Sequence, residues 1–176
     1  TGEMKISAVL PTLSPSMDIQ ISSNFERLAF ELHGRDGNKV VELMDALSDN
    51  GSFAVEADRL EAARALFAGR SYDDEETKAA IRAVHRQCGE LVDPHSAIAI
   101  AAGRDILEDS PTPRVSLATA HPAKFPEAVE AATSVRPVLP PRLAGLLARR
   151  ESYETLACDL AAVQDFVASS LSGRGL

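Results

Sequence analysis

The spacing of apolar positions along the chain predicts a mostly helical protein. In the first ninety residues, apolar side chains recur at intervals of three and four, which is the period of an amphipathic helix. Ser23 and Glu26 have the spacing of a capping box, in which each side chain satisfies a backbone amide at the helix start. Capping residues and glycines together predict four helices, over 24–33, 36–51, 57–68 and 71–89.

A second pattern follows at Asp93 and Pro94, where an N-cap residue precedes proline at the first helical position. The residues over 97–102 are apolar on every side, so we expect this helix to be buried and central. Alternating apolar residues predict extended segments over 5–12 and 115–119.

The chain from residue 120 onward divides into a turn, a helix and a proline-rich tail. Pro122 and Pro126 bracket a turn that leads into a helix over 127–133. The prolines over 136–141 favour a linker, because proline interrupts helices. The pattern predicts an α/β fold that is mostly helical with two or three strands. It has a domain over 1–135 and a C-terminal segment over 136–176, with helices over 143–148 and 153–171 and a frayed tail.

Composition narrows the classes of partner. The chain has 176 residues, of which 45% are hydrophobic and 5% aromatic, and this favours helices over a β-sandwich. A net charge of −8 argues against nucleic acid, and no apolar run reaches the ~20 residues of a membrane helix. Cys88 and Cys158 are too few for a disulfide framework, which predicts a cytoplasmic protein. Both cysteines lie on apolar faces of predicted helices, so we expect their thiols to be buried.

Polar groups that could carry chemistry cluster after the 115–119 segment. Thr119, His121 and Lys124 crowd the exit of the predicted strand, where α/β folds usually place ligand-binding groups. No histidine or cysteine has metal-ligand spacing, so we expect no metal site. From the residues alone, structural alternatives stay open: Thr119 as a strand residue satisfied by backbone, Asp93 as a simple cap, and Lys124 as a solvated lysine at a helix start.

Four stretches resemble the threonine synthase family, which are pyridoxal 5'-phosphate enzymes of fold type II, the tryptophan-synthase-β type. They are Leu-Ala-Thr-Ala-His-Pro-Ala-Lys-Phe at 117–125, Asp-Pro-His-Ser-Ala at 93–97, Ser-Pro-Ser-Met-Asp-Ile at 14–19 and Ser-Ser-Asn-Phe-Glu-Arg at 22–27. The resemblance runs from about residue 7 to residue 145 and covers only the C-terminal part of such an enzyme. It implies conversion of O-phospho-L-homoserine and water into L-threonine and phosphate, in threonine biosynthesis.

The same resemblance implies roles for individual residues. Thr119 matches the hydroxyl that meets the pyridine nitrogen of the cofactor, and Asp93 matches a carboxylate beside the cofactor ring. Lys124 and Asn24 become candidates for contacts with the substrate. The family's Schiff-base lysine belongs to the missing N-terminal half, so this chain contains no catalytic residue and is expected to be inactive without that half as its partner. A start at Thr1 fits the same expectation of an excised piece.

Two alternatives remain at this point. One is another pyridoxal-phosphate lyase or a dehydratase of the same fold type, although dehydratases do not as a rule carry the turn at 120–125. The other is a non-catalytic helical interaction module, in which the apolar helix over 97–102 would be the docking surface. A cofactor-binding lysine motif encoded upstream would favour the enzyme, and its absence would favour the module.

Overall fold

The computed structural model describes residues 1–107 and 111–172, and helical residues make up 56% of them. A short antiparallel sheet joins β1 (Glu3–Lys5) to β2 (Ser52–Ala54). The α-helices are α1 (Ser23–Leu32), α2 (Gly37–Asn50), α3 (Ala57–Leu66), α4 (Asp74–Cys88), α5 (Pro94–Ile106), α6 (Pro126–Thr133) and α7 (Leu160–Ser172). The mostly helical fold with two strands is therefore confirmed.

The described chain forms two compact units, Thr1–Val138 and Leu139–Leu176. The first unit contains two hydrophobic clusters. One joins α1, α2 and β2 through Ala29, Leu43, Leu47 and Phe53. The other joins α4, α5 and α6 through Ile81, Ala97, Val129 and Ala132. Because α5 belongs to the second cluster, that cluster fixes the position of the helix start that carries Asp93.

Local capping explains where several helices begin and end. The Asp36 side chain accepts hydrogen bonds from the amides of Asn38 and Lys39, and Gly51 ends α2 with a φ of +75° that favours glycine. Both ends agree with the prediction. The capping box predicted for α1 is wrong, because the helix starts at Ser23 itself and its N-cap, Ser22, makes no side-chain capping bond. A capping box is present instead at the start of α4.

The predicted strand over 115–119 is not formed, and the extended segment over 5–12 contributes only its first residue to β1. Val115 is 85% exposed and Leu117 is 73% exposed. A strand needs a neighbour that pairs with its backbone amides and carbonyls, and this segment has no strand neighbour among the residues that the structure describes. Alternation of apolar and polar residues identifies a segment that can form a strand, but it does not show whether a partner strand is present.

Several predictions of helix position and burial are also corrected. Only Ala97 is fully buried in the 97–102 run, whereas Ile98, Ala99 and Ala102 line a cavity. Two 3-10 turns, Pro141–Leu143 and Leu146–Ala148, replace the predicted helix over 143–148, and α7 begins at Leu160 rather than at residue 153. Cys88 and Cys158 are exposed rather than buried. Of the predicted frayed tail, residues 173–176 lie outside the described residues.

Candidate functional site

Asp93 is the N-cap of α5, and its side chain is fully buried. One carboxylate oxygen, Oδ1, accepts from the backbone amide of His95 at 3.0 Å and from that of Ser96 at 3.4 Å. The Nδ1 atom of His95 lies 3.0 Å from the same oxygen. The hydroxyl of Ser96 donates to the other oxygen, Oδ2. Capping, expected from the sequence, thus places a buried and fully hydrogen-bonded carboxylate at the start of α5.

His95 connects this carboxylate to a distant part of the chain. Its Nε2 atom accepts a 3.2 Å hydrogen bond from the backbone amide of Ser16. Ser16 lies in a 3-10 turn, Pro15–Met17. The imidazole also packs against the ring of Phe125, with 4.9 Å between the ring centroids. His95 therefore contacts three separate segments of the first unit.

Thr119 lies at the end of the 115–119 segment, close to the start of α5. Its backbone amide donates to the hydroxyl of Ser96 at 3.3 Å. Its own hydroxyl has no hydrogen-bond partner within residues 1–107 and 111–172. The structural alternative, a threonine hydroxyl satisfied by backbone, is therefore not what the structure shows. The hydroxyl is available to a ligand.

Lys124 ends a 3-10 turn, Pro122–Lys124, that His121 caps by accepting from the amide of Ala123 at 3.1 Å. Its ammonium lies 5.5 Å from the centroid of the Phe125 ring, a cation–π distance. Thus Phe125 interacts with both the imidazole of His95 and the ammonium of Lys124.

Most of these groups line one cavity, which has a volume of about 750 Å³. Its walls include His95, Thr119, Lys124 and Phe125, whereas Asp93 reaches it only through its contact with His95. Asn24 is not one of the lining residues. It lies at the start of α1, where its side chain accepts a hydrogen bond from Arg27. The structure therefore places Thr119 and Lys124 in the wall of one cavity. Asp93 lies outside the wall and is bonded to the wall residue His95, whereas Asn24 has no place in this site.

Three further groups line the same walls, Ser14, Arg70 and Tyr72, and the sequence predicted no individual role for any of them. Ser14 is 4% exposed, and its hydroxyl has no partner within the described part of the chain. Tyr72 donates a 2.7 Å hydrogen bond to Asp105. Burial, followed by this hydrogen bond, raises the pKa of Tyr72 to about 12. Only the 14–19 motif, which contains Ser14, gave any signal of these groups in the sequence.

The loop over residues 12–18, called the Ser14 loop below, is held from both sides. Asp18 accepts from the amide of Thr12 at 2.6 Å and from its hydroxyl at 2.8 Å. The amide of Leu13 donates to Asp74, at the start of α4, at 2.9 Å. These bonds, together with that between Ser16 and His95, fix the loop as one wall of the cavity.

The chemistry of the cavity suits a small anionic ligand. Lys124 and Arg70 supply two cations against one carboxylate, that of Asp18, which accepts hydrogen bonds from Thr12. Hydroxyl groups from several segments supply neutral donors. Ile98, Ala99 and Phe125 form an apolar wall on which a flat ring can pack.

Among residues 1–107 and 111–172, no group of three histidine, cysteine or acidic side chains could hold a metal ion. Within the same residues, no helix is both long and apolar enough to cross a membrane.

Comparison with known proteins agrees with the motifs. Residues 96–167 match the family model described as "Threonine synthase, C-terminal". Threonine synthase of Pseudomonas aeruginosa is 50% identical over 166 residues, which are 94% of this chain and 35% of that protein. The crystal structure of PLP-bound threonine synthase from Brucella melitensis matches with a TM-score of 0.77 at 43% identity, over 96% of this chain and 36% of that chain. Yeast threonine synthase matches with a TM-score of 0.77 at 31% identity, over 98% of this chain and 39% of that chain.

The chain is much shorter than the relatives that it matches. Nearly the whole of this chain aligns in each case, but it spans little more than a third of the length of the relatives that it matches. The likeness extends over sequence, family model and three-dimensional structure. The chain belongs to the threonine synthase family, and it corresponds to the C-terminal part of such a protein.

Proposed function

We propose that this chain is the C-terminal part of an enzyme that converts O-phospho-L-homoserine and water into L-threonine and phosphate. The observation that carries the proposal is the 50% identity to a threonine synthase over 94% of the chain. Residues 1–135 would belong to the pyridoxal-phosphate-dependent catalytic domain, and residues 136–176 would form the linker and C-terminal helices. The cytoplasmic location stays a prediction.

Pyridoxal 5'-phosphate is the cofactor that we propose for the complete site, in line with the PLP-bound relative from Brucella melitensis. The residues present fit such a group, because the free hydroxyl of Thr119 and an apolar wall line the same cavity. Thr119 would donate a hydrogen bond to the pyridine nitrogen without giving up its proton. Asp93 would fix the surroundings of the ring through His95 and Ser96. When bound, the cofactor supplies an electron sink for carbanion chemistry.

The cations of the cavity support a phosphorylated amino acid as substrate. Lys124 lines the cavity beside Phe125, and Arg70 lies in the same walls. An ammonium and a guanidinium both bind phosphate or carboxylate oxygens. We propose that Lys124 contacts the substrate. A substrate contact by Asn24 stays a prediction, because that residue lies outside the cavity walls.

The N-terminal half of the longer protein is the partner that we propose for this chain. The exposed apolar side chains of Val115 and Leu117 lie in a segment that has no neighbouring strand within residues 1–107 and 111–172. A strand contributed by the missing half would pair with this backbone and cover those side chains. The same half would contain the Schiff-base lysine, so the chain alone would not turn over substrate.

The test compares the full-length gene product with the isolated chain. We expect the full-length protein to bind pyridoxal phosphate, seen by absorbance, and to release phosphate from O-phospho-L-homoserine while forming threonine. We expect no release by the isolated chain at the same concentration, with its intact mass verified. A full-length protein that deaminates serine or threonine but leaves phosphohomoserine intact would instead establish the dehydratase. A full-length protein without cofactor binding would refute the enzyme proposal, and phosphate release by the chain alone would refute the inactive fragment.

A further inference from the structure

The geometry points to a positioning role for His95: as a neutral imidazole with its proton on Nδ1, it holds the Ser14 loop against the cavity. This role is distinct from any contact with substrate or cofactor. It rests on the proposed function only in the claim that the cavity receives the substrate. The two hydrogen bonds of the ring carry the argument.

The bond to Asp93 places the proton of the ring. Nδ1 of His95 lies 3.0 Å from Oδ1 of Asp93, and a carboxylate can only accept hydrogen bonds. The two amides and the Ser96 hydroxyl are donors to the same carboxylate, which shows that it serves as an acceptor throughout. Nδ1 must therefore carry a proton.

The bond to Ser16 requires that the other nitrogen carries none. The backbone amide of Ser16 is a donor, and it lies 3.2 Å from Nε2 of His95. A nitrogen that accepts this bond must present a lone pair. One proton on Nδ1 and none on Nε2 is a single tautomer of the neutral ring. Its two neighbours select this tautomer without any contribution from a ligand.

The bond to Ser16 determines where the Ser14 loop presents its own hydroxyl. Leu13 is bonded to Asp74 of α4, and residues 12 and 18 are bonded to each other. The turn between these points is tied to α5 by the Ser16 amide. Ser14 lies one residue before this turn, is nine-tenths buried in the cavity wall and has a hydroxyl with no partner among the described residues. His95 thus sets the position of a hydroxyl that can donate to an anionic ligand oxygen.

Protonation of the ring would remove this connection. An imidazolium carries a proton on Nε2, which would then face the Ser16 amide, so that two donors would oppose each other.

Two substitutions separate the two hydrogen bonds. His95→Asn keeps a donor near the position of Nδ1 but has no atom that reaches Ser16. His95→Gln keeps an oxygen near the position of Nε2, which can still accept from the Ser16 amide. His121→Asn serves as the matched control, because His121 accepts from Ala123 in a neighbouring turn and makes no hydrogen bond to the Ser14 loop among the described residues.

The first measurement is nitrogen-15 NMR of the unliganded chain. We expect long-range correlations that show a proton on Nδ1 of His95 and a bare Nε2. We expect faster hydrogen exchange of the Ser16 amide in His95→Asn but not in His95→Gln or His121→Asn. A ring with its proton on Nε2 would overturn the proposal even if a variant failed to fold, and so would unchanged Ser16 exchange in His95→Asn.

The second measurement is steady-state kinetics of the full-length enzyme. Loss of one hydrogen bond that positions the loop should raise KM for phosphohomoserine about three- to tenfold, with cofactor affinity nearly unchanged. His95→Gln should restore most of this loss. An equal loss in both His95 variants would reject the positioning role in favour of a role that needs the imidazole itself. An inactive parent enzyme would refute the proposed function, and the NMR result would then still decide the role of His95.

Discussion

The backbone amide of Thr119 donates a 3.3 Å hydrogen bond to the hydroxyl of Ser96, and this hydroxyl in turn donates to the carboxylate of Asp93. A serine hydroxyl can do both at once, because it has one proton and two lone pairs. The two residues are 23 positions apart. Their contact ties the end of the 115–119 segment to the buried cap of α5. Ser96 is thus the connection between the two residues that the sequence predicted at the cofactor site.

Ser96→Ala should therefore destabilise the protein more than a typical serine substitution. It would leave the amide of Thr119 and one oxygen of the buried Asp93 without their partner. Leaving buried polar groups unpaired costs ~1–3 kcal/mol, with the higher end for a charged acceptor. We expect a loss of that size in urea unfolding. Ser48→Ala, at an exposed position in α2, should change the unfolding free energy by less than ~0.5 kcal/mol. Equal effects of the two substitutions would contradict the connecting role of Ser96.

A second stability prediction concerns the cluster that supports α5. Ile81 is fully buried between helices, and truncating it leaves a cavity that close-packed neighbours cannot fill. Ile81→Ala should cost ~2–5 kcal/mol and Ile81→Val ~0.5–1.5 kcal/mol in the free energy of unfolding. Leu66→Ala is the control, because Leu66 is 80% exposed at the end of α3. If Leu66→Ala destabilised the isolated chain as much as Ile81→Ala, the assignment of the core would be wrong.

The parts of the fold that the sequence predicted well depend on short-range interactions. Asp36 and Asp93 cap their helices by binding amides two and three residues further along the chain. Such contacts are encoded within a few residues, so a local pattern is enough to find them. The helix after Pro126 follows from the same kind of signal.

The parts that were missed depend on partners far away in the sequence. Three-residue strands are too short for alternation to be visible, so the pairing of Met4 with Phe53 had no sequence signal. The 115–119 segment has the alternation of a strand but no neighbour that pairs with it among the described residues. In the cavity, the contact between Ser16 and His95 spans 79 positions. Thr119 and Lys124, which line the cavity, could be selected as candidates because their motif is continuous, whereas the position of Tyr72 depends on tertiary packing.

Tyr72 offers a test of the cavity wall that needs no ligand. Its pKa is raised to about 12, from an ordinary value of about 10, by burial and by the hydrogen bond to Asp105. Between these two pH values the unfolded chain has lost the phenolic proton that the folded chain retains, so stability falls as pH rises through this window. In a Tyr153→Phe background, which removes the other tyrosine, phenolate absorbance should show a midpoint near 12. Adding Asp105→Asn should lower it. A midpoint near 10 in the Tyr153→Phe chain would show that Tyr72 is not in the environment described.

The 115–119 segment, which pairs with no strand among the described residues, leads us to predict how the isolated chain behaves in solution. Val115 and Leu117 expose apolar surface beside backbone groups that have no strand partner in the described part of the chain, and such edges promote association. We expect the isolated chain to self-associate and to bind an apolar dye. Leu117→Lys should reduce both effects, because a lysine on an edge opposes pairing. Leu147→Lys, at an 87% exposed position of the C-terminal unit, is the charge-matched control. A monodisperse parent chain, or equal effects of the two lysines, would contradict the role of this segment.

The last prediction concerns the hydroxyl of Thr119 in the full-length enzyme. We propose that it donates to the pyridine nitrogen of the cofactor, because the hydroxyl has no protein partner among the described residues and lines the cavity. A neutral hydrogen bond contributes ~0.5–1.5 kcal/mol, so its loss should weaken cofactor binding several-fold to about tenfold. Thr119→Ser keeps the donor and should have a small effect. Thr119→Val keeps the shape but removes the donor, so both cofactor affinity and rate should fall more.

Cofactor titration and steady-state kinetics on the two variants measure this difference. A carboxylate in the same position would favour a protonated ring, which is a stronger electron sink, whereas a neutral hydroxyl does not require ring protonation. We also expect the rate of Thr119→Val to fall at saturating cofactor, because the ring nitrogen would then lack its hydrogen-bond donor. The Ser96–Thr119 contact uses only the backbone amide, so neither substitution should disturb it, and unfolding in urea provides the control for that. If the valine and serine variants both match the parent in affinity and rate, Thr119 does not contact the cofactor ring.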